Sequence, residues 1–244
     1  QFFLVIMDAM GQLFYSISVA MGIMVAYGSY VPDKTNINKS INHIEFFDTL
    51  VAILAGLMIV PAVFVFAGTE GMSAGPGLMF ISLPKVFNQM GKIGIAVGIL
   101  FFLMVIFAAV SSSVSVMEAI VASIMDKFKL DRKKSAVIVT AYTVIFGIIV
   151  CLGYNVFYFE LKLPNGSVGQ ILDVFDYFSN NILMPIVAIL TCVLIGWVAK
   201  PKTIIDEVTK NGEKFGRKYI YIAMVKVIAP VLLVVLLLQA LGVF

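Results

Sequence analysis

Apolar positions fall in six long runs, at about 2–31, 46–67, 93–125, 136–152, 171–199 and 220–244, and polar positions gather between them. A helix of about 20 apolar residues crosses a hydrocarbon core of about 30 Å, so each run predicts a membrane-spanning helix. The third run is too long for a simple crossing and is expected to tilt or to project from the bilayer. Gly68 to Met90 is too broken by glycine and proline to span, and predicts a re-entrant or surface helical hairpin over about 68–92. The polar connections are Pro32–Glu45, Asp126–Lys134, Tyr154–Gly169 and Lys200–Lys218. The third carries Pro164-Asn165-Gly166 as a turn, and the fourth an amphipathic piece from Thr203 to Val208.

Composition agrees with this pattern. The 244 residues are 61% hydrophobic and 13% charged, with a mean hydropathy of +1.05, whereas soluble domains hold about 45–50% apolar and about 25% charged residues. The expected class is an all-α polytopic membrane protein. Cys151 and Cys192 sit in apolar runs and read as buried thiols, and the single histidine, His43, falls in a polar loop. The placement of charge says more than its total of +3. Thirteen Lys and Arg, from Lys34 to Lys218, lie in loops 32–45, 126–134 and 200–218, against Lys85, Lys92 and Lys162 in the others. The positive-inside rule makes the first set cytoplasmic, so residue 1 and the C-terminus at Phe244 are expected outside a plasma membrane.

Three features inside the spans carry candidate chemistry. The first run, Gly11 to Val31, reads GQLFYSISVAMGIMVAYGSYV, with Ser16, Ser18 and Gly22 at its middle. Polar groups at that depth must be satisfied within the protein, and broken backbone is tolerated only where it lines a cavity. The run reads either as a discontinuous helix whose freed backbone binds a solute, or as a buried helix with small residues for close packing. In the third run Ala108, Ser111, Ser112, Ser115, Ala119 and Ala122 recur at three- and four-residue steps. That is one helix face, suited to close packing or to presenting oxygens to a hard cation. Asp48 opens the second run, where a carboxylate is either a functional group or a solvated charge just past Glu45. Glu118, deep in the third run, is expected to make an intramembrane polar contact.

Gly11-Gln12-Leu13-Phe14-Tyr15-Ser16-Ile17-Ser18, followed by Gly22 and Tyr27-Gly28-Ser29-Tyr30, closely resembles the sixth transmembrane helix of the neurotransmitter:sodium symporter family. Phe80–Pro84 resembles an outer-loop helix of that family, Phe107–Ser113 its eighth helix and Ile171–Asp176 the start of its tenth. The resemblance implies a broken first helix and the second half of a five-plus-five inverted repeat. Residues 1–199 would be helices six to ten, and residues 200–244 a cytoplasmic linker and helix eleven. It also implies roles. Ser16 and Asp48 match ligands of the first sodium ion, and Ala108, Ser111 and Ser112 those of the second, with Ser111 in place of the usual threonine. Tyr15, Ser18, Met21, Ser112 and Val116 match positions lining the solute pocket. Asp176 matches the outer gate acid, Asp126 the inner gate acid, and Tyr30 a residue that supports the latter. Both Na+ sites would be completed by the family's first helix. Asp48 stands where relatives usually have asparagine, and is expected to make chloride unnecessary. Ala20 stands where relatives often have glycine, which restricts the unwound backbone there.

Exposed N–H groups at a half-helix start favour an anionic group such as an amino acid carboxylate, and Tyr15, Met21 and Val116 would surround an apolar side chain. The function expected is sodium-coupled symport of a hydrophobic or aromatic amino acid by alternating access. Its partners would be the bilayer and an N-terminal half with helices one to five, in the same parent protein or a separate chain. No nucleic-acid partner is expected. An intramembrane serine protease built on Ser111-Ser112-Ser113 lacks a base at that depth, so the chain is not expected to be an enzyme. The alternative is a truncated or non-transporting membrane subunit that lacks the first five helices.

Overall fold

The computed structural model describes residues 2–68, 77–164, 166 and 168–243. The first limb of the expected hairpin, at 69–76, Asn165 of the expected turn, and the end residues Gln1 and Phe244 lie outside them. The first apolar run forms two helices, α1 (Phe2–Ser16) and α2 (Ile23–Gly28). The chain continues through α3 (Ile37–Ala67), a π-helical turn Leu78–Ser82 leading into α4 (Leu83–Gln89), α5 (Lys92–Phe128) and α6 (Arg132–Leu152). A short antiparallel hairpin of β1 (Leu161–Lys162) and β2 (Val168–Gly169) follows. Then come α7 (Ile171–Val198), α8 (Pro201–Val208) and α9 (Lys218–Ala240). Among the described residues, five helices are long and apolar enough to cross a bilayer: α3, α5, α6, α7 and α9. The remaining expected span is the broken one.

Two connections are shorter than the polarity of the sequence suggests. Residues 37–45 read as loop, yet α3 starts at Ile37 because the Asn36 side chain accepts the Lys39 N–H at 2.8 Å, the geometry of an N-cap. Lys39 and His43 therefore lie on a helix rather than in a loop. The basic segment 126–134 is non-helical only over Lys129–Asp131. Lys127 lies in the last turn of α5, and Arg132, Lys133 and Lys134 form the first turn of α6. In the connection between α6 and α7 the Gly166 N–H donates to the Leu163 carbonyl at 2.9 Å and closes the turn between the two strands.

The chain forms two compact units, Gln1–Ser40 with Ser115–Phe244, and Ile41–Val114. In the second unit, Leu83 and Val86 of α4 bury against Val63 of α3, with Phe87 and Phe101 closing over them at 5.6 Å between rings. Gly94 permits the tight return from α4 into α5, since a Cβ there would fall 1.7 Å from the Phe87 carbonyl oxygen.

In the first unit α7 and α9 pack side by side. Met184, Ala188 and Leu233 are buried, and the buried Tyr177 donates its hydroxyl to the Ala240 carbonyl at 2.6 Å. Both helices are distorted: α7 is π-helical at Tyr177–Leu183 and Leu194–Val198, and α9 at Met224–Ile228. Gly196 lets these widened turns approach, since a Cβ there would lie 3.2 Å from Val225. Below them, Lys210 pairs with Asp33 at 3.1 Å and the Asn211 amide donates to the Asp33 carbonyl at 2.7 Å. The adjacent carboxylate raises the Lys210 ammonium above the usual lysine range.

Candidate functional site

The break between α1 and α2 is built from residues that leave the helical ladder one after another. The Val19 N–H reaches back to the Phe14 carbonyl at 3.0 Å, and the regular pattern resumes only when the Ala26 N–H meets the Gly22 carbonyl at 2.9 Å. Between them Ser18, Ala20 and Gly22 take left-handed conformations, with φ of 57°, 65° and 79°. Glycine reaches that region freely, but an L-residue is strained in it by about 1 kcal/mol or more. The helix is therefore discontinuous here, and Ala20 takes a left-handed conformation that glycine reaches more easily. Alternating left-handed residues turn successive N–H groups toward a common side, an arrangement suited to an anion.

A six-residue helix such as α2 is not stable alone, and the lower part of α5 holds it. Ile23 and Ala26 bury against Ala119, and Met21 packs on the same cluster. The hydroxyls of Tyr27 and Ser115 hydrogen-bond. One turn further, the Tyr30 hydroxyl donates to Glu118 Oε1 at 2.8 Å. The other oxygen of Glu118 accepts from the Arg132 guanidinium at 2.7 Å, while the Glu118 side chain keeps only 18% of its exposure. A carboxylate in an apolar span is costly unless paired, and here two donors, one of them charged, satisfy it. The small-residue face of α5 thus does pack closely at Ser115 and Ala119.

Above the break lies a cavity of about 450 Å³, lined by Gln12 and Tyr15 of α1, Asp176, Asn180 and Asn181 of α7, and Gln239 of α9, among others. It brings together Tyr15, expected in the solute pocket, and Asp176, expected at the outer gate. Asp176 accepts a hydrogen bond from the Asn180 amide one turn on, within the π-helical part of α7. Val116 and Asp126 are exposed on α5, and Ser18 is half-buried in the break.

In the second unit, the Ser111 hydroxyl donates to the Ala108 carbonyl at 3.0 Å, and Ser113 donates to Ala109 at 2.7 Å. A hydroxyl that donates keeps its oxygen lone pairs, so Ser111 retains acceptor capacity for a cation. Ser112 is exposed, and Asp48 is half-exposed in the fourth turn of α3. The amides Asn180, Asn181 and Gln12, the acceptor role of Glu118, and Lys226 within the π-helical turn of α9 were not singled out from the sequence. Lys226 carried a readable signal, a charge inside an apolar run. The amides carried none beyond polarity.

Comparison with known proteins identifies the family and the fold. Residues 4–244 match the sodium:neurotransmitter symporter family. The chain is 32% identical over 234 residues to a sodium-dependent transporter of Methanocaldococcus jannaschii, covering 93% of this chain and 44% of the relative. It is 32% identical over 240 residues to the sodium-dependent transporter YhdH of Bacillus subtilis, covering 98% and 51%. The crystal structure of MhsT in complex with L-phenylalanine superposes with a TM-score of 0.84 at 31% identity, covering 96% of this chain and 51% of MhsT. The chain spans about half the length of these relatives. They are transporters and not enzymes, which sets the protease reading aside, and the chain belongs to the sodium:neurotransmitter symporter family as a multi-pass helical membrane protein.

Proposed function

We propose that the chain supplies half of the solute and sodium sites of a transporter that couples inward sodium flow to uptake of a hydrophobic or aromatic amino acid. The observation that carries this reading is the interrupted ladder from Ser18 to Gly22, with three left-handed residues in five. A helix that only crosses lipid gains nothing from such strain, whereas a site for a carboxylate needs the backbone groups it releases. Tyr15, Ser18, Met21, Ser112 and Val116 form the solute's share of the site. Ser16 and Asp48 contribute to one Na+, and Ala108, Ser111 and Ser112 to a second. Asp176 closes the outer side. Asp126 closes the inner side, with Tyr30 as its supporting residue. The aromatic preference is supported by the apolar side chains among these residues and by the phenylalanine bound in the MhsT crystal structure. Residues 1–199 act as one repeat, with the basic loops in the cytoplasm.

The test is sodium-dependent binding of radiolabelled phenylalanine and other amino acids. It is made on the purified chain alone and on the chain combined with an N-terminal half containing helices one to five. Binding only in the combined sample is the expected result, and the order of competing amino acids then ranks the cargo. Binding by the chain alone would overturn the two-half site. Absence of binding with both parts folded would overturn transport in favour of a non-transporting subunit.

A further inference from the structure

The first two turns of α6 carry a groove that no part of the transport reading uses. Leu130, Lys133, Lys134, Val137 and Ile138 line an open depression of about 410 Å³. On the opposite side of the same helix Ser135 and Val139 are 0% and 2% exposed, so that side faces protein. The groove side faces outward, with Val137 and Ile138 at 67% and 49% exposure. The floor is apolar, and the stems of Lys133 and Lys134 are part of the lining.

These lysines are available for a ligand. Arg132, their neighbour, is committed to Glu118. Lys133 and Lys134 form no ion pair among the described residues. Asp131, the residue before α6, is extended, with φ −64° and ψ 148°, and makes no side-chain cap. The first-turn N–H groups of α6 add partial positive charge at the helix end that carries both lysines.

We infer that this groove seats an anionic phospholipid of the cytoplasmic leaflet, its phosphate on Lys133 and Lys134 and an acyl chain along Leu130, Val137 and Ile138. The order of groups matches a lipid at a bilayer surface: cations at the end of a spanning helix, then an apolar channel running into the hydrocarbon. A zwitterionic lipid would place a choline cation against two lysines, and a small soluble anion would leave the apolar floor uncovered. Basic clusters at cytoplasmic helix ends attract anionic headgroups, each lysine contributing measurably.

The experiment is native mass spectrometry of the 244-residue chain in detergent, titrated separately with phosphatidylglycerol, phosphatidylcholine of the same chains, and inorganic phosphate. It needs no transport activity, so it stands or falls apart from the symport reading. The expected result is retention of phosphatidylglycerol over phosphatidylcholine, a preference that falls by about thirtyfold in the double variant Lys133→Gln/Lys134→Gln. The double variant Lys127→Gln/Lys129→Gln removes equal charge outside the groove and is expected to keep the preference. Equal loss in both variants would reduce the effect to general charge and overturn the site. Equal retention of both lipids would overturn the anionic specificity. Displacement of phosphatidylglycerol by inorganic phosphate would assign the lysines to a soluble anion and overturn the lipid.

Discussion

Ala20 stands at φ 65° in a chain that could have placed glycine there. Its methyl group clashes with the following carbonyl in the left-handed region, at a cost of about 1 kcal/mol that glycine avoids. Ala20→Gly returns part of this cost as flexibility of the unfolded chain. The expected net gain is about 0.5 kcal/mol, or a rise of about 1–2 °C in Tm. Ala20→Val, whose branched Cβ fits this region worse, is expected to lower Tm by several degrees. Thermal unfolding in detergent, followed by intrinsic fluorescence, checks both. A lowered Tm for the glycine variant beside an unchanged valine variant would contradict the assigned backbone conformation. Ser18 shows the same geometry at φ 57°, but its hydroxyl belongs to the proposed solute site, so a change there mixes strain with binding.

At the scale of elements, α2 is positioned by what it and the residues after it touch on α5, which in turn pairs with α6. Tyr27–Ser115 and Tyr30–Glu118 are each 88 residues apart in sequence, and Glu118–Arg132 is 14 apart. Because Tyr30 and Arg132 share one carboxylate, losses there are not independent. Tyr30→Phe and Glu118→Gln are each expected to destabilise, and the pair together to cost less than the sum of the two. A double-mutant cycle measured by unfolding in detergent gives the coupling directly, and strict additivity would mean that the hydrogen bond contributes nothing. The same contacts mark what the sequence leaves hidden. Glu118 is legible as a buried charge, because charge and hydropathy are local. Its partners are not legible, because only packing brings Tyr30 and Arg132 to it. The break after Ser16 is legible only through the family resemblance, since serines and a glycine at mid-depth suit a close-packed helix as well as a broken one. The π-helical turns of α7 and α9 leave no such mark: Tyr177–Leu183 and Met224–Ile228 are ordinary in composition. The early start of α3 was concealed by its own polarity, since Asn38, Lys39 and His43 suit a loop until Asn36 caps the helix.

At the scale of the whole molecule, charge balance sets which ions must accompany the solute. An intact transporter that carries sodium ions through a site of low polarity needs compensating negative charge, either fixed in the protein or brought in as an anion. In the proposed sodium site Asp48 supplies a fixed carboxylate, so uptake by the full-length protein in proteoliposomes is expected to be unchanged when chloride is replaced by gluconate. Asp48→Asn removes that charge. Leaving a cation uncompensated in the span costs about 2.5 kcal/mol, which corresponds to a fall of nearly a hundredfold in apparent sodium affinity in gluconate. Chloride is then expected to restore much of the loss by taking the vacated role, so the variant and the parent protein should differ in gluconate and converge in chloride. Collapse of parent uptake in gluconate would remove Asp48 from this role. A variant equally impaired in both salts would make Asp48 a ligand whose geometry, rather than its charge, sustains the site. Only the combination of an indifferent parent and a chloride-rescued variant supports a carboxylate that substitutes for the anion.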